Sequence, residues 1–275
     1  MINSTSNKQV RRVANLVKKA RARREEDLYV AEGLRMCQEL SPEQVEILYV
    51  SESFLKEHSQ GGFQKAFLER FRWEQVTDSV MKVMADTQTP QGILALVKQR
   101  HISFREILNQ PGAAHLMILE TIQDPGNLGT ILRAGEGAGI TGVVMNETTA
   151  DIYNPKVIRS TMGSIYRVPF VYVEDLEAAC VQIKEKGIRL FAAHLKGENA
   201  YDQEDFTVPC GFLIGNEARG LSSQIASLAD TYVKIPMAGK VESLNAAVAA
   251  AVLMFETARQ RRNLSGSLTA RRKKM

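Results

Sequence analysis

Three stretches of this chain carry residues whose types and spacing suit chemistry. The first is Asp124-Pro-Gly-Asn-Leu-Gly-Thr-Ile-Leu-Arg133. It follows His115 to Glu120, an apolar run that reads as a buried strand, and leads into a helical pattern over Asn127 to Gly137. In a parallel α/β sheet, ligands bind at the carboxyl ends of the strands. With Asn127 opening the helix, Arg133 stands about one and a half turns in, at the mouth of such a site. The same residues also read as an asparagine cap and a surface arginine. The second stretch, Phe212-Leu-Ile-Gly-Asn-Glu-Ala-Arg-Gly-Leu221, is a strand running into Gly-Asn-Glu, where glycine lets a ligand come close to the backbone. Glu217 there can bind a cation, pair with an arginine, or cap the next helix. The third is Ile235-Pro-Met-Ala-Gly-Lys-Val-Glu-Ser-Leu-Asn-Ala-Ala-Val-Ala249. Ser243 and Asn245 begin the last helix, with small residues behind them that permit close packing. Alone, such a polar pair reads as caps.

A fourth pattern points away from chemistry. Gly137-Ala-Gly139-Ile-Thr-Gly142 has the GxGxxG spacing of dinucleotide sites. That fingerprint needs a strand before the glycines and a helix after them. Here the order is reversed, so the glycines are expected to end a helix and form a tight αβ turn, and a nicotinamide or flavin site is set aside.

Two α/β regions are expected to position these residues. The first helix has capping-box spacing at Ser6 and Gln9 and an apolar stripe at Val10, Val13, Ala14 and Val17. Lys8, Arg11, Arg12, Lys18 and Lys19 fall away from that stripe. Strands are expected at Leu28 to Ala31, Val45 to Val50, Trp73 to Val76 and Ile93 to Val97. Helices are expected near Gly33 to Leu40, Gln64 to Phe71 and Ser79 to Met84, with Trp73 in the core. This alternation makes 1–98 a small α/β domain. Residues 99–113, with Asn-Gln-Pro-Gly at 109–112, read as a linker. From 114 to 262 the alternation is longer. Strands at Gly142 to Met145, Val168 to Val173, Ile188 to Ala193, Gly211 to Ile214 and Tyr232 to Ile235 are separated by helices near Val157, Leu176 to Lys186 and Leu221 to Leu228. Such a pattern implies a parallel sheet covered on both faces. The last helix is expected over Ser243 to Arg262, and 263–275 as a basic, disordered tail. His194 reads as structural.

Composition narrows the class. The chain has 275 residues, 44% hydrophobic and 24% charged, which suits a soluble globular protein with its own core. Cys37, Cys180 and Cys210 cannot pair completely and show no metal spacing, so a cytoplasmic setting is expected. No signal peptide or membrane-length apolar run is seen. The net charge of +4 is uneven. Residues 1–24 carry eight Lys/Arg and no acid, residues 256–275 carry seven against Glu256, and the remainder is therefore at −10. Basic ends on an acidic body suit a polyanion, because clustered cations release condensed counterions.

Taken in order, NxGxxxR at 127–133, GNExxG at 215–220 and IPMxGxxxSLNxAxA at 235–249 resemble the SpoU/TrmH family of RNA ribose 2′-O-methyltransferases, within the SPOUT superfamily. The resemblance covers residues 114–262. Ser6-Asn-Lys to Glu32-Gly33 is similar, more loosely, to the substrate-binding domain fused to many ribosomal-RNA members. What the resemblance implies is a knotted (trefoil) parallel-sheet methyltransferase domain behind a smaller N-terminal α/β RNA-binding domain. It also implies S-adenosylmethionine as cofactor, a homodimer, no metal and no membrane. The substrate expected is 23S ribosomal RNA. A tRNA 2′-O-methyltransferase and a non-catalytic RNA-binding ribosome-assembly factor are the alternatives on the same fold.

By the same resemblance Arg133 is the leading catalytic residue. A guanidinium normally keeps its proton, so holding a phosphate and stabilising a developing alkoxide suit it better than acting as a base. Asn127 would orient Arg133 or the ribose. Glu217, Ser243 and Asn245 match positions that shape the same site. Gly215, Ile235 and Leu244 match cofactor-contact positions, with Met237 their neighbour. The basic residues Lys8, Arg11, Arg12, Lys18 and Lys19 would contact RNA phosphates without reading bases.

Overall fold

The computed structural model describes residues 1–58, 66–194 and 197–272, with side chains described as far as Leu264. The chain divides into two compact units, Met1–Arg100 with Asp151–Tyr166, and His101–Ala150 with Arg167–Met275.

In the first unit, α1 (Lys8–Lys18) and α2 (Ala20–Glu26) precede a four-stranded sheet. Its strands are β1 (Leu28–Glu32), β2 (Val45–Ser51), β3 (Trp73–Val76) and β4 (Ile93–Lys98), in the order β1-β4-β2-β3. Three short helices, α3 (Leu34–Gln38), α4 (Glu52–Glu57) and α5 (Asp78–Met84), connect them. β4 runs antiparallel to both β1 and β2, and only β2–β3 is parallel. The sheet is therefore mixed, which a strand–helix alternation does not reveal. Val10, Val13, Leu16 and Val17 of α1 pack into a core with Ile47, Tyr49, Val76 and Leu96. Asn7 caps this helix, accepting from the Gln9 amide at 2.8 Å, in place of the expected Ser6. Trp73, expected in the core, stands at the start of the edge strand β3 with 40% of its surface exposed. The expected helix at Gln64 to Phe71 begins outside the described residues.

The segment Asp151–Tyr166, with α8 (Pro155–Thr161), belongs to this first unit although His101–Ala150, of the second unit, intervenes in sequence. Asp151 pairs with the buried Arg23 at 2.6 Å, Tyr153 stacks on Tyr29 at 4.7 Å, and Arg159 pairs with Asp86 at 2.6 Å. An uninterrupted division at 98–114 cannot represent this. The expected linker is also partly structured: a capping box at Ser103 and Glu106 starts α6 (Phe104–Leu108), which places Ile107 in the core of the second unit.

The second unit is built on seven parallel strands in the order β7-β6-β5-β10-β8-β11-β9. They are β5 (His115–Leu119), β6 (Gly142–Asn146), β7 (Phe170–Val173), β8 (Arg189–Ala193), β9 (Asn199–Ala200), β10 (Cys210–Ile214) and β11 (Thr231–Lys234). All five residues of β5 and of β10 are buried, as a sheet covered on both faces requires. The intervening helices are α7 (Pro125–Ala138), α9 (Leu176–Glu185) and α10 (Ser223–Ser227), and α11 (Ala246–Arg272) closes the chain. α7 ends at Gly139 in the left-handed conformation (φ 75°), so the GxGxxG glycines form the C-cap and αβ turn the sequence implies. α11 begins three residues later than expected and continues past Arg262 into the stretch expected to be disordered. No proline follows Arg262. Arg262, Asn263 and Leu264 are exposed, and the loss of apolar periodicity there does not end the helix.

Candidate active site

From β5 the chain moves outward through β6 to β7, then returns to place β10 and β8 on the other side of β5. The β5–β10 boundary is thus a topological switch point, where the loops leaving the two strands diverge and open a crevice. The loop after β5 carries Thr121 to Asn127, and the loop after β10 carries Gly215 to Gly220.

The local sequence explains how these side chains are aimed. Asp124, not Asn127, caps α7, its carboxylate accepting from the amides of Gly126 (2.6 Å) and Asn127 (3.0 Å). Pro125 occupies the first turn, where a missing N–H costs nothing. The helix therefore begins two residues before the expected start, and the Asn127 side chain is released from capping. Its amide donates to Glu217 Oε1 at 3.0 Å, and its carbonyl accepts from Asn245 Nδ2 at 2.9 Å. Asn245 in turn caps α11, accepting from the amides of Ala247 and Val248. Three expected site residues from three distant stretches are joined in one chain of hydrogen bonds.

Glu217 also accepts from the amides of Gln123 (3.2 Å) and Asp124 (3.0 Å). Burial pushes its carboxyl up, but the hydrogen bonds from Asn127 and the main-chain amides outweigh this and leave it below the usual carboxylate range. Of the three roles open to Glu217, the structure shows an anion that ties two loops together. It bonds neither to Arg133 nor to the next helix, α10, which Ser222 caps.

Arg133 is exposed on α7, and among the described residues no hydrogen bond or ion pair holds its guanidinium. Asn127 does not orient it directly. Ser243 is exposed in the segment before α11 and does not enter the network. His115 lies at the opposite end of β5, buried, with its imidazole pushed down to about 3 by burial and by Arg261. His194 stacks on Tyr232 at 5.1 Å, consistent with the structural role read for it. His115 is thus at the far end of the sheet from the crevice loops, whereas His194 follows β8, the strand paired with β10.

A cofactor-binding segment can be tested on its donor set. Ile235, Met237 and Leu244 are half-buried. Between Pro236 and Leu244, among the described residues, no main-chain hydrogen bond engages the backbone. Apolar flanks beside unengaged amides and carbonyls fit an adenine and its polar edge. Gly215 has a different local reason. A Cβ there would lie 2.1 Å from the Gly220 carbonyl carbon and 2.2 Å from the Leu221 nitrogen, so glycine is required for the loop to close on itself. Residues 216–220 pair across that loop.

Of the basic residues on α1, Lys8, Arg11 and Lys18 are exposed, as is Lys19 just beyond it. Arg12 is not available in the same way: it pairs with Glu26 and Glu46, each at 2.5 Å, and these carboxylates raise its pKa, the hydrogen bond it donates to Glu46 most of all. The charge pattern alone missed this, because Glu46 is 34 residues away in sequence. Sequence reasoning also missed Thr121, Asn146 and Asn216, which hold the β5–α7 turn. A β-branched residue just before the DPGN turn carries no periodic signal.

A parallel α/β sheet with an amide–carboxylate network at its switch point and an exposed arginine on the adjoining helix defines a class of small-ligand and nucleic-acid enzymes. Residues 114–255 match the SpoU rRNA Methylase family, and residues 7–95 match the MRM3-like substrate binding domain. The chain belongs to the SpoU family and is an S-adenosylmethionine-dependent RNA methyltransferase. It is 30% identical over 180 residues to the 23S rRNA (guanosine(2553)-2′-O)-methyltransferase RlmP of Bacillus subtilis, covering 66% of this chain and 70% of that one. Among solved structures it resembles the AdoMet-bound rRNA methyltransferase of Sinorhizobium meliloti (TM-score 0.81, 27% identity, 94% and 97% of the two chains). It also resembles the SpoU methyltransferase AviRb of Streptomyces viridochromogenes (TM-score 0.80, 26% identity, 94% and 99%).

Proposed function

We propose that this chain methylates a ribose 2′-hydroxyl of 23S ribosomal RNA, with Arg133 as the catalytic residue. The observation that carries the assignment is the Glu217–Asn127–Asn245 chain of hydrogen bonds at the entrance of α7, the helix on which Arg133 is exposed with no partner among the described residues. The RlmP likeness supports the ribosomal substrate over tRNA.

When bound, S-adenosylmethionine supplies a methyl group on a sulfonium, an electrophile that needs only a positioned oxygen opposite its leaving sulfur. Ile235, Met237 and Leu244 would flank the adenine, and the backbone around Gly215 and 236–244 would meet its polar edges. Arg133 holds an RNA phosphate and stabilises the alkoxide that develops as the 2′-hydroxyl gives up its proton to solvent water. Asn127 and Asn245 set the geometry around it, with Glu217 fixing Asn127, and Ser243 adds a hydroxyl to the substrate side. Lys8, Arg11, Lys18 and Lys19 contact phosphates, and Arg12 supports the helix that carries them. The cofactor segment belongs to the trefoil knot of this reading.

Val248 and Phe255, one heptad apart on α11, are each 48% exposed. This apolar stripe supports a homodimer with α11 at the interface. No described helix is long and apolar enough to cross a membrane, and the three buried free cysteines suit a reducing cytoplasm.

The test is transfer of labelled methyl from S-adenosylmethionine to unmodified 23S rRNA and, separately, to bulk tRNA. Label in 23S rRNA is expected. Label confined to tRNA overturns the substrate, and no label in either overturns the enzymatic reading in favour of a binding factor.

A further inference from the structure

Three non-glycine residues among those described have positive φ: Asp27, Thr121 and Met162. Asp27 and Met162 end α2 and α8, where a left-handed residue is the usual terminator. Thr121 (φ 58°) ends no helix. It lies between β5 and α7, and a β-branched residue is the least suited to that conformation. Such outliers persist only where the surroundings over-determine them, and they concentrate at functional sites.

The surroundings here are specific. Asn146 Oδ1 accepts from the Thr121 amide at 2.8 Å, and Asn146 Nδ2 donates to Thr121 Oγ1 at 2.9 Å. Thr148 Oγ1 shares a 2.8 Å hydrogen bond with Thr121 Oγ1, and Asn216 Nδ2 donates to the Thr121 carbonyl at 2.9 Å. Both main-chain groups and the hydroxyl are thus engaged, from the end of β6 and from the loop after β10. The next two residues but one, Gln123 and Asp124, then present their amides to Glu217, the neighbour of Asn216. One dipeptide, Asn216-Glu217, grips the turn at Thr121 and again at the entrance of α7.

Resting on the function read above, we propose that Thr121 is a positioning residue for methyl transfer. Its enforced left-handed conformation fixes the entrance of α7 against Asn216-Glu217 and so places Asn127 and Arg133 at the reacting hydroxyl. A glycine accepts the same φ without strain but also samples others, so it separates positioning from folding. A serine keeps the hydroxyl that Asn146 and Thr148 hold.

The experiment compares full-length wild type, Thr121→Gly and Thr121→Ser in steady-state methyl transfer to 23S rRNA and in thermal melting. The expected result is a Thr121→Gly protein with a Tm close to wild type, kcat lowered about ten-fold and an unchanged KM for S-adenosylmethionine. Thr121→Ser should stay within about two-fold of wild type. Asn146→Ala, which removes the lock from another element, should give the same fall in kcat. Wild-type kcat in Thr121→Gly overturns the proposal, as does a parallel fall of kcat and Tm, which marks a merely structural role. If the wild-type chain itself transfers no methyl group, the functional reading fails first and this proposal with it.

Discussion

Helices α1 and α7 both carry arginines that the sequence marks for RNA, and the structure treats them differently. Arg12 on α1 sits between Glu26 and Glu46, and Arg23 on α2 is buried, bonded to Asp151 and to the carbonyls of Leu16 and Val17. Arg133 is exposed on α7 and has no such partner among the described residues. Glu217 is fully engaged with Asn127 and two main-chain amides instead. A cation count therefore says little about which cations are available. In the first unit Arg12 and Arg23 serve as structural pins. In the second, Glu217 is held by neutral amides, and the exposed Arg133 guanidinium is open to an external anion.

The sharpest way to break this comparison is Arg133→Ala. Transfer is expected to fall about 10²- to 10³-fold, as when one preorganised transition-state contact is lost. Affinity for S-adenosylhomocysteine, read by thermal shift, should stay within about two-fold because Arg133 is not in the cofactor segment. Glu217→Gln comes next. Its amide would turn a donor toward the Gln123 amide, or, flipped, toward Asp124 and Asn127, and kcat should drop about ten- to thirty-fold. Because the folded Glu217 carboxyl is depressed, its contribution to stability is full above the ordinary carboxylate value of about 4.3. That contribution is lost as pH falls through the folded value, so Glu217→Gln should flatten the acid limb of the Tm profile.

Replacing Lys8, Arg11, Lys18 and Lys19 together by glutamine should weaken RNA binding by several-fold at moderate salt. It should also lower the slope of log K against log salt by up to about 3. The smallest effect on RNA is expected for Arg12→Gln, whose salt slope should match wild type while its Tm falls. A slope change in Arg12→Gln equal to that of Arg11→Gln would erase the distinction between pinned and open cations.

Much of the second unit was legible because its strands are short, apolar and separated by helical periods. The GxGxxG glycines could also be set aside from element order alone. What periodicity could not show was pairing across distance. The mixed sheet of the first unit depends on β4 joining β1 and β2 in antiparallel register. The capture of 151–166 by the first unit depends on Arg23, Tyr29 and Asp86. At the site, the motif residues Asn127, Glu217 and Asn245 were legible by type, but their roles were not. Asp124 takes over the capping expected of Asn127, and Asn127 joins Glu217 to Asn245 without touching Arg133. Gly215, read as room for a ligand, is required by its own loop's backbone.

The central claim is tested most directly by mapping the linkage that the chain modifies. 23S rRNA treated with S-adenosylmethionine and either wild type or Arg133→Ala would be cleaved with alkali, which cannot cut beside a methylated 2′-oxygen. One alkali-resistant linkage is expected with wild type and none with Arg133→Ala. A methylated base in a linkage that alkali still cleaves, or an equal resistant site from the Arg133→Ala protein, would contradict it.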